Sequence, residues 1–298
     1  MKNSLITIAA FLLTSISVFA QEATATHAEH QAATAAPASV AQDWAKQKVD
    51  KSPRHHEWVN VKSGNRVVSA FVVYPEVKTK ATAVVVIHEI FGMSDWVQML
   101  ADELAEAGYI AIAPDLLSGM GPNGGGTSSF LDGTAVGKAI RDLPPDQITA
   151  DLNAVADYIA KVPAANGKVA VAGFCWGGSQ SFRFATNRPT LSAAFVFYGS
   201  GPESPDAIAK IKAPIYGFYA GNDARIGATL PKTIELMKAA GKTFEPVTYE
   251  GAGHGFMRAG DVPPPPADAD PKARDAYAGN KKARDDAWTR WKALLKKL

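Results

Sequence analysis

The chain has 298 residues, 47% of them hydrophobic and 20% charged, and its 31 Lys and Arg against 29 Asp and Glu leave a net charge of +2. That length can bury a substantial core in one large domain without disulfide or metal staples. The near-neutral balance excludes the broad basic face of a nucleic-acid binder. A lone cysteine, Cys175, excludes a disulfide framework, a thiol zinc cluster and an iron–sulfur site.

Met1-Lys2-Asn3 supplies a positive start, Leu5 to Phe19 an apolar run, and Val18-Phe19-Ala20 the small residues that a signal peptidase reads. The run is about 15 residues, short of the ~20 that span a bilayer. Residues 1–20 therefore read as a cleaved secretory signal. The protein is expected to be exported, periplasmic or else secreted, with Gln21 as mature start and no stable membrane anchor. Residues 21–50, rich in Ala, Thr, Gln and His, read as a flexible linker. His27 and His30 could bind a metal weakly, although a solvated linker is the plainer reading. Export also flags Cys175, because a free thiol in an oxidising compartment is either reactive or buried and inert.

Residues 51–298 read as one domain. Glu57–Lys62 and Arg66–Tyr74 form a hairpin around Ser63-Gly64-Asn65. Ala81–His88 is a strand apolar enough to be buried on both faces. Asp95–Ala107 follows as a helix stopped by Gly108, and Tyr109–Ala113 as a strand. Residues 118–133 are a Gly- and Ser-rich loop. A helix over Pro144–Lys161, a strand over Lys168–Phe174, a helix over Trp176–Asn187 and strands over Leu191–Tyr198 and Ala213–Ala220 come next. A helix over Leu230–Ala240, a strand over Phe244–Tyr249 and a terminal helix over Ala273–Leu298 complete the domain. Strands alternating with helices predict a mostly parallel central sheet covered on both faces, with ligands at the strands' carboxyl ends.

Three chemically loaded segments fall at those ends. Gly173-Phe174-Cys175-Trp176-Gly177-Gly178 follows a strand and opens a helix, the nucleophile-elbow pattern with Cys in place of Ser. A helix N-terminus at the thiol favours thiolate. A small buried cysteine is the alternative. A phosphate loop fits poorly, since the spacing is neither GxxxxGK[ST] nor GxGxxG. Asp223, in Ala220-Gly221-Asn222-Asp223, and His254, in Gly253-His254-Gly255-Phe256, each follow a strand. Nucleophile, acid and histidine thus occur in the chain order of α/β-hydrolases. Asp223 would fix the imidazole tautomer and His254 would serve as base, unless the two are independent loop residues. His88-Glu89-Ile90-Phe91-Gly92 sits where that fold supplies one oxyanion-hole N–H, from Ile90, the other coming from Trp176. Glu89, so close to that site, would repel a thiolate; a solvated loop carboxylate or a partner for an arginine is its plainer reading, and His88 reads as structural. Phe91, Trp96 and Trp176 could line an acyl pocket or simply be core.

With His88-Glu89-Ile90-Phe91-Gly92, Pro114-Asp115-Leu116, the Cys175 elbow, the Asp223 loop and His254-Gly255-Phe256-Met257-Arg258, the chain resembles the dienelactone hydrolase (carboxymethylenebutenolidase) family over residues 55–298. The resemblance implies an α/β-hydrolase fold and cleavage of a small ester or lactone through a Cys175–His254–Asp223 triad and an acyl-thioester. It also implies that Glu89 is a switch carboxylate and that Arg258 holds a substrate carboxylate; Arg258 as a surface charge is the even alternative. No cofactor, metal or nucleic acid is implied. The family's second arginine after Pro-Asp-Leu has no counterpart in Leu117-Ser118-Gly119-Met120-Gly121, so the implied carboxylate clamp is incomplete. A redox thiol protein and a non-catalytic binder of small carboxylates remain the readings from other classes.

Overall fold

The computed structural model describes residues 42–259, 262 and 264–298. The leader at 1–20, His27 and His30 lie outside the described residues. The linker expectation fails at its end, because residues 43–50 form helix α1 (Asp43–Asp50). Ala45 and Val49, four apart, put one apolar face into the core. Gln42 ties the start of α1 down by donating its N–H to Asp95 Oδ2 at 2.7 Å and accepting the Trp96 N–H at 3.0 Å.

Eight strands form one sheet in the order β1-β2-β4-β3-β5-β6-β7-β8. The hairpin β1 (His56–Ser63) and β2 (Arg66–Val73) makes the antiparallel edge, with β2 also antiparallel to β4 (Ile110–Pro114). The other pairings are parallel, through β3 (Ala81–Ile87), β5 (Ala165–Phe174), β6 (Ala194–Phe197), β7 (Ile215–Ala220) and β8 (Phe244–Tyr249). Every residue of β3 is buried, as expected for a β-branched strand roofed on both faces. One roof includes α3 (Gly133–Arg141), α4 (Pro145–Ile159), α6 (Pro205–Ala209) and α8 (Leu230–Ala239), and the other includes α2 (Asp95–Glu106) and the terminal helix α9 (Pro271–Leu295). Trp291 of α9 is fully buried and meets the Phe197 ring edge-on with centroids 4.9 Å apart.

From β3 the chain crosses to β4 on one side and then returns to β5 on the other. The crevice between β3 and β5 is therefore a topological switch point, where open α/β sheets hold their ligands. The loops leaving β3 and β5 carry Glu89 and Cys175.

Candidate active site

The elbow is built by close backbone approach. Cys175 takes φ +55 and ψ −116 as the residue capping α5 (Trp176–Asn187). A Cβ on Gly177 would lie 2.4 Å from the carbonyl oxygens of Ile87 and His88, and one on Gly173 would lie 1.9 Å from Gly177 O. Only glycines let α5 press against the end of β3, which sets the Glu89 loop beside Cys175. His88 locks that loop. Its Nε2 accepts the Leu116 N–H at 3.4 Å, so its Nδ1 donates to the Glu89 carbonyl at 2.8 Å. Its ring stacks on Trp176 with centroids 5.6 Å apart. Burial pushes the His88 pKa down, and a neutral imidazole fits a purely structural part.

Cys175, His254 and Asp223 come together from the ends of β5, β8 and β7. His254 Nε2 lies 3.0 Å from Cys175 Sγ, and Nδ1 lies 2.5 Å from Asp223 Oδ2. The other Asp223 oxygen accepts the Ile226 N–H at 3.3 Å, capping the one-turn helix α7 (Ala224–Gly227). The His254 loop is anchored by α9, where Asn280 accepts the Gly253 N–H at 2.7 Å. Such an array can take a proton from sulfur and hold the resulting imidazolium against a carboxylate.

The helix N-terminus does not by itself produce a thiolate here. Burial, then the neighbouring Glu89 charge, raises the Cys175 pKa, while the Trp176 N–H and the charges of Arg225 and Arg258 only partly oppose them. Glu89 is 3% exposed, and burial pushes its carboxyl up to about 7 despite Arg258 and the adjacent Tyr198 hydroxyl. Arg258 Nε stands 3.2 Å from Glu89 Oε2, and Oε1 has no hydrogen-bond partner among the described residues. The Arg258 guanidinium also lies over the Phe91 ring, 5.2 Å from its centroid. Arg258 is thus a partner of Glu89 rather than an isolated surface charge.

Trp96 does not line the site. It is 1% exposed and meets Phe174 edge-on at 5.2 Å, deep in the core. Trp176 is half-buried. Tyr198 was not singled out in the sequence. It follows β6 with φ +40 and packs edge-on against His254 at 5.0 Å. Its signal was a polar aromatic at a further strand end. Arg225, two residues past Asp223, was also passed over. A cavity of about 640 Å³ opens among Trp58, Arg66, Met120 and Gly126, but none of Cys175, Asp223 and His254 lines it. No cluster of His, Cys, Asp and Glu fit for a metal occurs among the described residues.

The profile of the dienelactone hydrolase family matches residues 68–298. The chain belongs to that family. It is 31% identical over 266 residues to a Saccharolobus solfataricus protein named "Putative carboxymethylenebutenolidase", covering 78% of this chain and 94% of that one. A protein of the same name from Methylorubrum extorquens is 30% identical over 210 residues, 66% of this chain and 71% of its relative. In three dimensions it resembles the crystal structure titled "Putative Dienelactone Hydrolase" from Klebsiella pneumoniae, with a TM-score of 0.68, 27% identity and coverage of 82% and 99% of the two chains. This dienelactone hydrolase family member is accordingly a hydrolase of the carboxymethylenebutenolidase type on an α/β-hydrolase fold.

Proposed function

We propose that the protein hydrolyses a small ester or lactone by acyl transfer to Cys175. The observation that carries this reading is the continuous relay from Sγ through the imidazole to Asp223, with contacts of 3.0 and 2.5 Å. Sulfur attacks the carbonyl carbon as its proton leaves. The backbone N–H groups of Ile90 and Trp176 hold the oxyanion, each worth roughly 3 kcal/mol. The tetrahedral intermediate collapses to a thioester as His254 protonates the departing alkoxide. Water then attacks the thioester with His254 as base, releasing the acid and the thiol.

Glu89 gates the first step. Its raised pKa leaves it shared between acid and carboxylate near pH 7, with Arg258 as its counter-charge. A substrate carboxylate that draws Arg258 away removes the stabilisation of the Glu89 anion. Glu89 then becomes a stronger base, able to draw the proton off sulfur and pass it to the imidazole, leaving a thiolate–imidazolium pair whose proton the departing alkoxide takes. Until that moment sulfur stays a neutral thiol, the less oxidisable form. That protection suits an exported enzyme, and export itself is proposed from the leader at residues 1–20. N-terminal sequencing of protein recovered from a periplasmic fraction should begin at Gln21; an intact Met1 would refute export by this leader.

The test of the mechanism is mass spectrometry of protein quenched during turnover of p-nitrophenyl acetate. An acetyl adduct confined to Cys175, absent in Cys175→Ser with loss of turnover, is expected. Turnover that survives Cys175→Ala would overturn it.

A further inference from the structure

The hollow of about 640 Å³ beside the β1–β2 hairpin has the size of a small-molecule site, and none of Cys175, Asp223 and His254 borders it. One wall is the hairpin. Trp58 and Asn60, two apart on the edge strand β1, share one side of it about 7 Å apart, opposite Phe71 and Ser69 of β2. The other wall is the glycine-rich segment, from Gly119 and Met120 to Gly126 and Ser128. That wall is preformed, because Asp115 holds Thr127 by its N–H and its hydroxyl at 2.7 Å each. A preformed wall spares a ligand the entropy of ordering it.

The bonds already made by the lining residues select the ligand. Arg66 and Asp115 are the charged residues of the lining, and both are engaged. Arg66 stands 3.4 Å from Asp151 and donates to the Leu116 carbonyl at 3.1 Å. Asp115 accepts the Leu117 N–H as well as both Thr127 donors. An ion would find no free counter-charge in this lining. Neutral groups, in contrast, stay unspent. The Trp58 indole N–H, the Asn60 amide and the Ser128 hydroxyl make no hydrogen bond among the described residues. A wholly apolar ligand would cover them without pairing them, at a cost in free energy. Trp58 is 50% exposed, and its ring contact, with Phe71 tilted by 57°, leaves no ring stacked on it. These groups suit a ligand with C–H bonds on one face and hydroxyls at its rim. The C–H face meets the negative face of the indole, and the hydroxyls, each donor and acceptor, meet the amide and the serine.

We propose that this hollow is a binding site for a neutral sugar, separate from the catalytic centre. Trp58 is the platform for one pyranose ring, and Asn60 is its hydrogen-bonding partner. The assignment does not depend on the ester-hydrolase reading of Cys175.

Saturation-transfer NMR of the whole protein with cellobiose, maltose, lactose and chitobiose reads such weak binding directly. At least one disaccharide should bind with a Kd on the order of 1 mM, with saturation strongest on the C–H protons of one ring face. Trp58→Ala should weaken binding roughly tenfold and Asn60→Ala roughly fivefold, while Trp58→Phe keeps part of the affinity. The variants should alkylate at Cys175 with iodoacetamide at the wild-type rate, and wild type alkylated there should bind the sugar unchanged. No saturation transfer to any of the four sugars overturns the proposal. Binding that survives Trp58→Ala, or that is lost on alkylation of Cys175, places the sugar elsewhere and overturns it as well. Benzoate is the charged control. Saturation of benzoate but of no sugar, abolished by Trp58→Ala, would assign the hollow to an aromatic anion instead.

Discussion

Gly279 of the terminal helix crosses Gly251 so closely that a Cβ at 279 would lie 2.4 Å from the Gly251 carbonyl oxygen. The next residue, Asn280, accepts the Gly253 N–H one position before His254. The histidine is thus set by a helix that donates no side chain to the chemistry. Gly279→Ala should cost about 1–3 kcal/mol by overpacking and should lower kcat more than it raises KM, as the loop shifts away from sulfur. Chemical denaturation with steady-state kinetics reads both; a stable variant with wild-type kcat would refute the anchoring role.

Cys175 holds φ +55 and ψ −116, a backbone state that costs an L residue of order 1–3 kcal/mol. In ordinary helix or strand, alanine is the more stabilising residue and glycine the weaker one. At this position the order should invert, with Cys175→Gly more stable than Cys175→Ala by about 1 kcal/mol and both inactive. Thermal melts of the two variants decide it. Alanine ahead of glycine would mean that the elbow is unstrained.

Glu89 ordinarily titrates near 4.5, and in the fold it titrates at about 7, chiefly through burial. Between those pH values the native protein keeps a proton that the unfolded chain has lost. The stability due to this group is therefore present at acid pH and is lost as pH rises through about 7. Glu89→Gln should abolish that slope, gaining on wild type by on the order of 3 kcal/mol between pH 5 and 8. Urea unfolding at both pH values tests it, and a constant difference would contradict it. Removing the same charge should also move the Cys175 alkylation profile with iodoacetamide to lower pH, since Glu89 holds the thiol up.

Thr127 explains why the glycine-rich segment is folded rather than loose. Asp115 accepts the Thr127 N–H and hydroxyl at 2.7 Å each, and the same hydroxyl accepts the Met93 N–H at 3.1 Å. Thr127→Val keeps the shape but strips both side-chain bonds in a buried place, at an expected cost of about 1–3 kcal/mol. Protease nicking confined to residues 118–129 should accelerate in parallel. Unaltered stability and unaltered nicking would show that Asp115 does not pin the segment.

Much of this was legible in the sequence because its signals were local. The helix Trp176–Asn187 and the strand Phe244–Tyr249 have the bounds that their patterns indicated. Leu191–Tyr198 shortened to Ala194–Phe197, because apolar entry to a strand extends beyond its pairing. Helices at Asp43–Asp50, Gly133–Arg141, Pro205–Ala209 and Ala224–Gly227 were missed. The first has only two buried positions, the second carries two glycines, and the last is a single turn made by one aspartate. Cys175, Asp223 and His254 stood out through the chain order of strand ends. The position of Tyr198 against His254 depends on β6 lying beside β5, with β7 and β8 beyond it, an adjacency written in the sheet order and not in any short motif.

The terminal helix also dictates when the site can exist. Asn280 is made 105 residues after Cys175 and 26 after His254 in chain order, so the thiol is synthesised long before the side chain that ties down the His254 loop. A nascent or C-terminally clipped polypeptide lacking that helix would carry the thiol without a placed imidazole. Reactivity would arrive as a late event of maturation, after the last turns dock Trp291 into the core. Loss of those turns to a protease should lower turnover while leaving Cys175, Asp223 and His254 chemically intact.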